Sequence, residues 1–266
     1  MRPSAAGPHR EYFPWRRLLC VLGWLWAISP APVAAELTQT VVRVKPSIVA
    51  VGTFQRTRNP PFRFLGTGFV VGSGRVVATN AHVVPASIAE GQIEALVIVI
   101  PGDMKGTVRK VSKTTVDANS DLALLSIEGE PLPALSLADE GVAREGQSIA
   151  FTGFPIGSVL GLSPVTHRGI VSAITPIGIP QGNSRELNST VIKRLAEGAF
   201  KVYQLDATAY PGNSGSPVFD AETGEVLGVV NMAFVKKTKE SVLSDPSGIT
   251  YAIPISYLRA LLKDAE

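Results

Sequence analysis

The chain has 266 residues, of which 45% are hydrophobic and only 18% charged, with 25 glycines, 20 prolines, three histidines and one cysteine. That length admits one large all-β domain or two smaller cores, and the Gly and Pro content favours short strands joined by turns over a helical bundle. The formal charge of +3 belongs wholly to the first 35 residues, which leaves 21 basic and 21 acidic residues beyond them and excludes a global nucleic-acid footprint.

Arg2, Arg10, Arg16 and Arg17 precede an apolar run, Leu18 to Ile28, that is too short to cross a bilayer as a helix. Ser29, Pro30, Pro32 and the small residues Val33-Ala34-Ala35 follow, which is the pattern of a secretory signal over residues 1–35. Cleavage is expected before Glu36, with the domain at 36–266 exported to the periplasm or secreted. A retained leader acts instead as an anchor, and the domain is exported either way. Cys20 lies near the start of the apolar run, which disfavours a lipoprotein. Beyond the leader there is no cysteine and only His82 and His167 remain, so disulfides and Cys/His zinc chemistry are not expected. The cluster Arg56, Arg58 and Arg63 reads as a solvated loop.

The rest alternates β-type runs with turns. Leu37 to Val44 reads as a lead-in segment of that kind. Strands are predicted over Ser47–Phe54, Gly66–Val71, Arg75–Thr79, Ala95–Ile100, Lys105–Ser112 and Leu122–Ile127, with Gly72-Ser73-Gly74 as a hairpin turn. Gly129 to Gly146 has no strand-like run and reads as a linker. A second set follows at Gln147–Phe151, Ser163–Ile174, Tyr203–Leu205, Ser216–Phe219, Val226–Phe234 and Ile249–Ala252. Helices are predicted at Glu186–Ala199 and, after Pro254, at Ile255–Lys263, where Ile255, Leu258, Leu261 and Leu262 share a face. No internal repeat is visible. The fold class is all-β, in two halves (about 37–128 and 147–266) with a C-terminal α-helix.

Ser214 sits on a glycine-rich turn, in DATAYPGNSGSPVF, between two apolar segments. A serine hydroxyl needs a base to act as a nucleophile, and histidine has the proton affinity for that task. No His follows Ser214, which removes the α/β-hydrolase order. No Asp lies between Glu36 and His82, which removes the subtilisin order with His82 as base. The order His, Asp, Ser survives. Of Asp103, Asp117, Asp121 and Asp139, only Asp121 directly opens an apolar run, where a carboxylate can be buried enough to orient an imidazole. Asp103 and Asp117 read as turn residues, and His167 has no comparable partner.

TNAHVV, DLALL and GNSGSP, in this order, resemble the trypsin-like (chymotrypsin-fold) serine proteases, and among them the bacterial Deg/HtrA family. GTGFVVGSGRVVATNAHVV and GITYAIPISYL are similar to that family's protease domain, and the likeness spans roughly Leu37 to Leu262. The resemblance implies two packed six-stranded antiparallel β-barrels with a triad of His82, Asp121 and Ser214 in the cleft between them. It also implies an oxyanion hole at the amides of Gly212 and Ser214, and a primary pocket with Thr208 at its base and Val230, Asn231 and Met232 in its wall. The implied activity is serine endopeptidase, without cofactor or metal. The partners would be polypeptides, unfolded or damaged proteins in particular. Assembly into a homo-oligomer is left open.

The chain also departs from the family pattern. Asn213 stands where the digestive proteases carry an Asp that pairs with a newly cut N-terminus, so that mode of activation is not expected. Ser216 stands where Deg/HtrA proteases usually have Gly, which strains the turn if the position needs a positive φ. The 52 residues after Ser214 suffice for the second barrel and the terminal helix, so PDZ domains are expected to be absent. No acid stands at Thr208 to hold Arg or Lys, which points to a small or medium apolar residue on the acyl side of the cut. The competing reading is an idle homologue whose cleft serves as a peptide-binding or chaperone-like surface.

Overall fold

The computed structural model describes residues 33–85, 94–102, 106–157, 161–176, 200–232 and 248–265. The first set of strands is β1 (Ile48–Gln55), β2 (Phe62–Val71), β3 (Val76–Asn80), β4 (Glu94–Ile100), β5 (Thr107–Asp117) and β6 (Leu122–Ile127). The second is β7 (Ser148–Gly153), β8 (Val165–Pro176), β9 (Lys201–Asp206), β10 (Pro217–Asp220), β11 (Val226–Val230) and β12 (Ile249–Pro254). Each set closes into an antiparallel barrel, in the order β1-β2-β3-β6-β5-β4 and, with the same connectivity, β7-β8-β9-β12-β11-β10. The two expected six-stranded barrels are therefore present, and they repeat one topology that the sequence does not display as a repeat.

The apolar runs are continuous because both faces of these strands are buried. In β1, Val49 and Val51 fill the first barrel, whereas Ile48 and Ala50 point to the layer between the barrels. β6 divides the same way, with Leu125 and Ile127 inside and Leu122 and Leu124 in the shared layer. Phe151, Leu205, Val218 and Leu227 fill the second barrel. Phe69, Phe154 and Phe219 are fully buried in the shared layer. Each such side chain contributes roughly 1.5–3 kcal/mol of burial, so this layer fixes one barrel against the other and thereby sets the cleft.

Two α-helices cover the shared layer. The C-terminal helix α2 (Ile255–Ala265) buries Ile255, Leu258 and Leu261 at the predicted spacing. The segment before β1 departs from expectation: Leu37 to Val44 is not a β-type run but part of helix α1 (Val33–Val44). Its β-branched Thr and Val residues suggest a strand, yet Leu37, Thr40 and Val44 lie one helical turn apart and face the protein. Thr40 Oγ1 donates to Glu222 O (2.9 Å) and Arg43 Nη2 to the same carbonyl (3.3 Å), which ties α1 to the turn between β10 and β11.

The stretch from Gly129 to Gly146 is pinned to both barrels. Leu135 N donates to Val70 O (2.9 Å), Ala138 N donates to Val226 O (2.9 Å), and Arg259 of α2 donates from Nε to Ala138 O and from Nη2 to Leu137 O, both at 2.8 Å. Most of the predicted signal, the predicted helix Glu186–Ala199 and the end of the predicted strand Val226–Phe234 lie outside the described residues. So does Asp103, one of the weighed carboxylates.

Candidate active site

β3 ends at Asn80 and the chain makes one 3₁₀ turn, Ala81–Val83, that carries His82 to the rim of the first barrel. The Asp121 backbone sits beside it. Asp121 immediately precedes β6 with φ of 56°, a left-handed conformation that Asp tolerates better than most residues. Its carbonyl is held by Ala81 N–H (3.0 Å) and Asn80 Nδ2 (3.1 Å). Its carboxylate accepts from His82 N–H at 2.9 Å on Oδ1, and contacts His82 Nδ1 at 2.7 Å on Oδ2.

An ionised carboxylate can only accept, so the proton of the imidazole must be on Nδ1, and the lone pair on Nε2 is left available as a base. Burial pushes the Asp121 carboxyl up, but the hydrogen bonds and charge of His82 and the amide of Asn231 outweigh it and hold it below the usual carboxylate range. Asp121 therefore stays ionised opposite His82.

Asn231, expected in the pocket wall, is fully buried and also donates from Nδ2 to Asp121 Oδ2 at 2.7 Å, across 110 residues of sequence and from the other barrel. Asp117, read as a turn residue, accepts from Asn119 N (2.9 Å) and from the Ser120 hydroxyl, and Asp139 lies at the surface beside Arg259.

Ser214 comes from the second barrel, on the turn before β10, and is 6% exposed. Ser214 O accepts from Thr67 N of β2 (2.9 Å) and Gly215 N donates to Val230 O (3.0 Å), so the turn is stitched to both barrels. The Ser214 hydroxyl makes no hydrogen bond among the described residues. The amides of Gly212 and Ser214 likewise have no acceptor there, whereas those of Asn213, Gly215 and Ser216 all do.

The direction of the Gly212 amide follows from its neighbours. Pro211 O accepts from Ile156 N at 2.7 Å. Because C=O and N–H point to opposite sides of a trans peptide, that bond turns the Gly212 N–H away from Ile156. On the other side, Gly212 O accepts from the buried hydroxyl of Thr67 (2.7 Å), which in turn accepts from Phe154 N (3.1 Å). Gly212 itself has φ of 103°, and a Cβ there would lie 2.3 Å from Phe154 O. Ile156, with φ of 49°, holds a left-handed conformation unusual for a β-branched residue.

The expected strain at Ser216 is absent. Its φ is not positive; Gly215 takes the left-handed conformation (86°) instead. The Ser216 side chain is fully buried against Gly153, where a Cβ would come within 2.0 Å of Ser216 Oγ, so the missing side chain at 153 makes the room.

Thr208 is half-buried between the buried Ala207 and Ala209. The Thr250 hydroxyl holds this loop, donating to Ala207 O (2.6 Å) and accepting from Ala209 N (3.1 Å). Val230 and Met232 are buried on the adjoining strand and its continuation. Thr67, Thr250 and Ile156 carry no chemical signature in the sequence, and only long-range contacts identify them. His167, on β8, stacks on Phe151 (centroids 4.9 Å apart) and lies 6.0 Å from the Tyr210 ring, and burial depresses its pKa. No cluster of metal-binding side chains occurs among the described residues.

A family model described as a trypsin-like peptidase domain matches residues 66–229. A probable periplasmic serine endoprotease DegP-like of Halomonas elongata is 32% identical over 193 residues, covering 73% of this chain and 33% of that protein. The putative serine protease HhoB of Synechocystis sp. is 31% identical over 195 residues (71% and 37%). Human serine protease HTRA3 is 29% identical over 254 residues (93% and 49%). The chain thus spans between a third and a half of the length of these relatives.

Proposed function

Because this chain belongs to the trypsin-like peptidase family and is similar to Deg/HtrA serine proteases, we propose that it is an exported serine endopeptidase whose catalytic residues are Ser214, His82 and Asp121. The observation that carries this reading is the hydrogen-bonded line Asn231–Asp121–His82, together with Ser214 on a turn that is tied to β2 and leaves two amides without an acceptor among the described residues. Ser214 attacks a peptide carbonyl while His82 Nε2 takes its proton. Asp121 fixes the ring and stabilises the imidazolium, and the amides of Gly212 and Ser214 bind the oxyanion. His82 then gives its proton to the leaving amine, and water resolves the acyl-enzyme.

Thr208, Val230, Asn231 and Met232 form the acyl-side pocket, which accepts a small or medium apolar residue. Asn231 also acts through Asp121. Residues 1–35 serve as the export signal, which agrees with the periplasmic naming of the Halomonas relative. The substrates are unfolded or damaged polypeptides.

Labelling with a fluorophosphonate probe tests the reading. Wild type is expected to label and to cleave an unfolded protein, and Ser214→Ala to do neither. The absent hydrogen bond on the Ser214 hydroxyl gives the competing reading its one observation: a folded wild type that neither labels nor cleaves is an idle homologue that only binds peptides.

A further inference from the structure

A cavity of about 310 Å³ opens on the first-barrel side of His82, lined among others by Thr53, Arg63, Leu65, Val83 and Glu94. The register of three neighbouring strands assembles it. Arg63 of β2 lies opposite Thr53 of β1, and Glu94 of β4 lies opposite Gln55. Arg63 and Leu65, two residues apart, share one face of β2, while Phe64 between them turns toward Gly212, whose Cβ would meet its ring at 3.0 Å.

The charges in this cavity do not cancel. Glu94 Oε1 accepts from the Thr53 hydroxyl and from Arg58 Nη1 (2.5 Å), so that oxygen is already engaged and part of its charge is offset. Arg63 makes no hydrogen bond or ion pair among the described residues; its charge acts on Glu94 through space, but Arg58 and Arg63 together outnumber that one carboxylate, and the Arg63 guanidinium keeps its donors open. An exposed arginine with nothing to bind commonly just faces water. This one borders the ring that protonates the leaving amine.

We infer that this cavity is the leaving-group subsite and that Arg63 selects an acidic side chain, Asp or Glu, at the first or second residue after the cut. The inference rests on the proposed protease reading. The residues of the proposed acyl-side pocket, Thr208, Val230, Asn231 and Met232, all belong to the second barrel. The residue released as an amine takes its proton from His82 and so lies on the opposite side of the ring, against first-barrel residues. The planar guanidinium of Arg63 presents paired donors to a carboxylate there, and Leu65 and Val83 supply apolar contact for its methylenes. The residual charge of Glu94 opposes a second acid and tempers the preference.

Internally quenched peptides with Val immediately before the cut, carrying Glu, Gln or Lys at the second residue before it or at the first or second residue after it, give the test. Glu after the cut is expected to raise kcat/KM about fivefold over Gln, the upper range for an exposed charge pair, with the ratio shrinking in high salt. Arg63→Ala is expected to abolish the ratio of Glu to Gln cleavage, and Arg63→Lys to keep part of it. Equal cleavage of Glu and Gln peptides overturns the inference. So does a preference that survives Arg63→Ala, one that falls on the acyl side, or one for Lys, which would assign the cavity to Glu94.

A binding arm keeps the two readings separate. Fluorescent product peptides beginning with Glu or Gln are titrated onto Ser214→Ala and onto the same protein with Arg63→Ala. A Glu advantage that depends on Arg63 supports the subsite even where wild type fails to label with fluorophosphonate, and its absence refutes the subsite even where labelling succeeds.

Discussion

Replacing Gly212 by alanine tests the oxyanion geometry at one atom. The added Cβ would lie 2.3 Å from Phe154 O and 3.0 Å from the Phe64 ring, and φ of 103° disfavours any L side chain. Phe154 is fully buried, and its own N–H is tied to Thr67, so the carbonyl has little room to retreat. Relief to an ordinary contact needs about 1 Å of movement, most of it in the Pro211–Gly212 peptide. That displaces the Gly212 N–H from the 2.7–3.1 Å window of a hydrogen bond to the developing oxyanion, a loss of about 3–4 kcal/mol or 10²–10³-fold in kcat. Because the donor acts mainly in the transition state, KM is expected to change little. The assay is steady-state cleavage of a quenched peptide, with an aldehyde transition-state analogue expected to lose affinity in proportion to kcat. Wild-type kcat in a folded Gly212→Ala protein would refute both the assignment of this amide and the argument that Phe154 and Thr67 hold it in place.

The remaining predictions concern the residues around that turn. Asn231→Ala removes a donor to Asp121 and is expected to lower kcat about tenfold, a typical cost of one lost charge-assisted hydrogen bond. It should also raise the Asp121 pKa toward its ordinary value, read by NMR titration of the carboxyl; an unmoved titration would show that the Asn231 amide does not act on Asp121. Asp121 and Asp220 are both held below the usual carboxylate range, Asp220 by the amides of Thr223 and Glu222 and by Gln147 against the upward push of burial. Depressed folded pKa values mean that their stabilisation is complete above the unfolded value near 4, and is lost as pH falls below it through the folded values. Thermal melts between pH 7 and 2 are expected to decline mainly below about pH 4, and Asp220→Asn should shrink that decline. Arg259→Ala frees the carbonyls of Leu137 and Ala138 and should cost about 1–3 kcal/mol in denaturant unfolding, with kcat unchanged for the enzyme that remains folded.

The sequence by itself determined the elements with local signatures. Apolar β-type runs broken by turns placed the twelve described strands to within a few residues, and the spacing of Ile255, Leu258 and Leu261 placed α2, because strands buried on both faces read as continuous apolar runs and a buried helix face leaves its period in the chain. The order His82, Asp121, Ser214 was legible because chemistry constrains residue type. Tertiary structure decided the rest. Leu37 to Val44 is rich in β-branched residues, and only docking against the second barrel makes it helical. The common topology of the two barrels lives in strand pairing and leaves no trace in residue identity. The contact of the Asn231 amide with Asp121, 110 positions away, has no signature in the sequence. Ser216 looks strained until Gly215 is found to carry the positive φ and Gly153 to leave the space. In each case the deciding contact joins residues far apart in sequence, where local pattern carries no information about who meets whom.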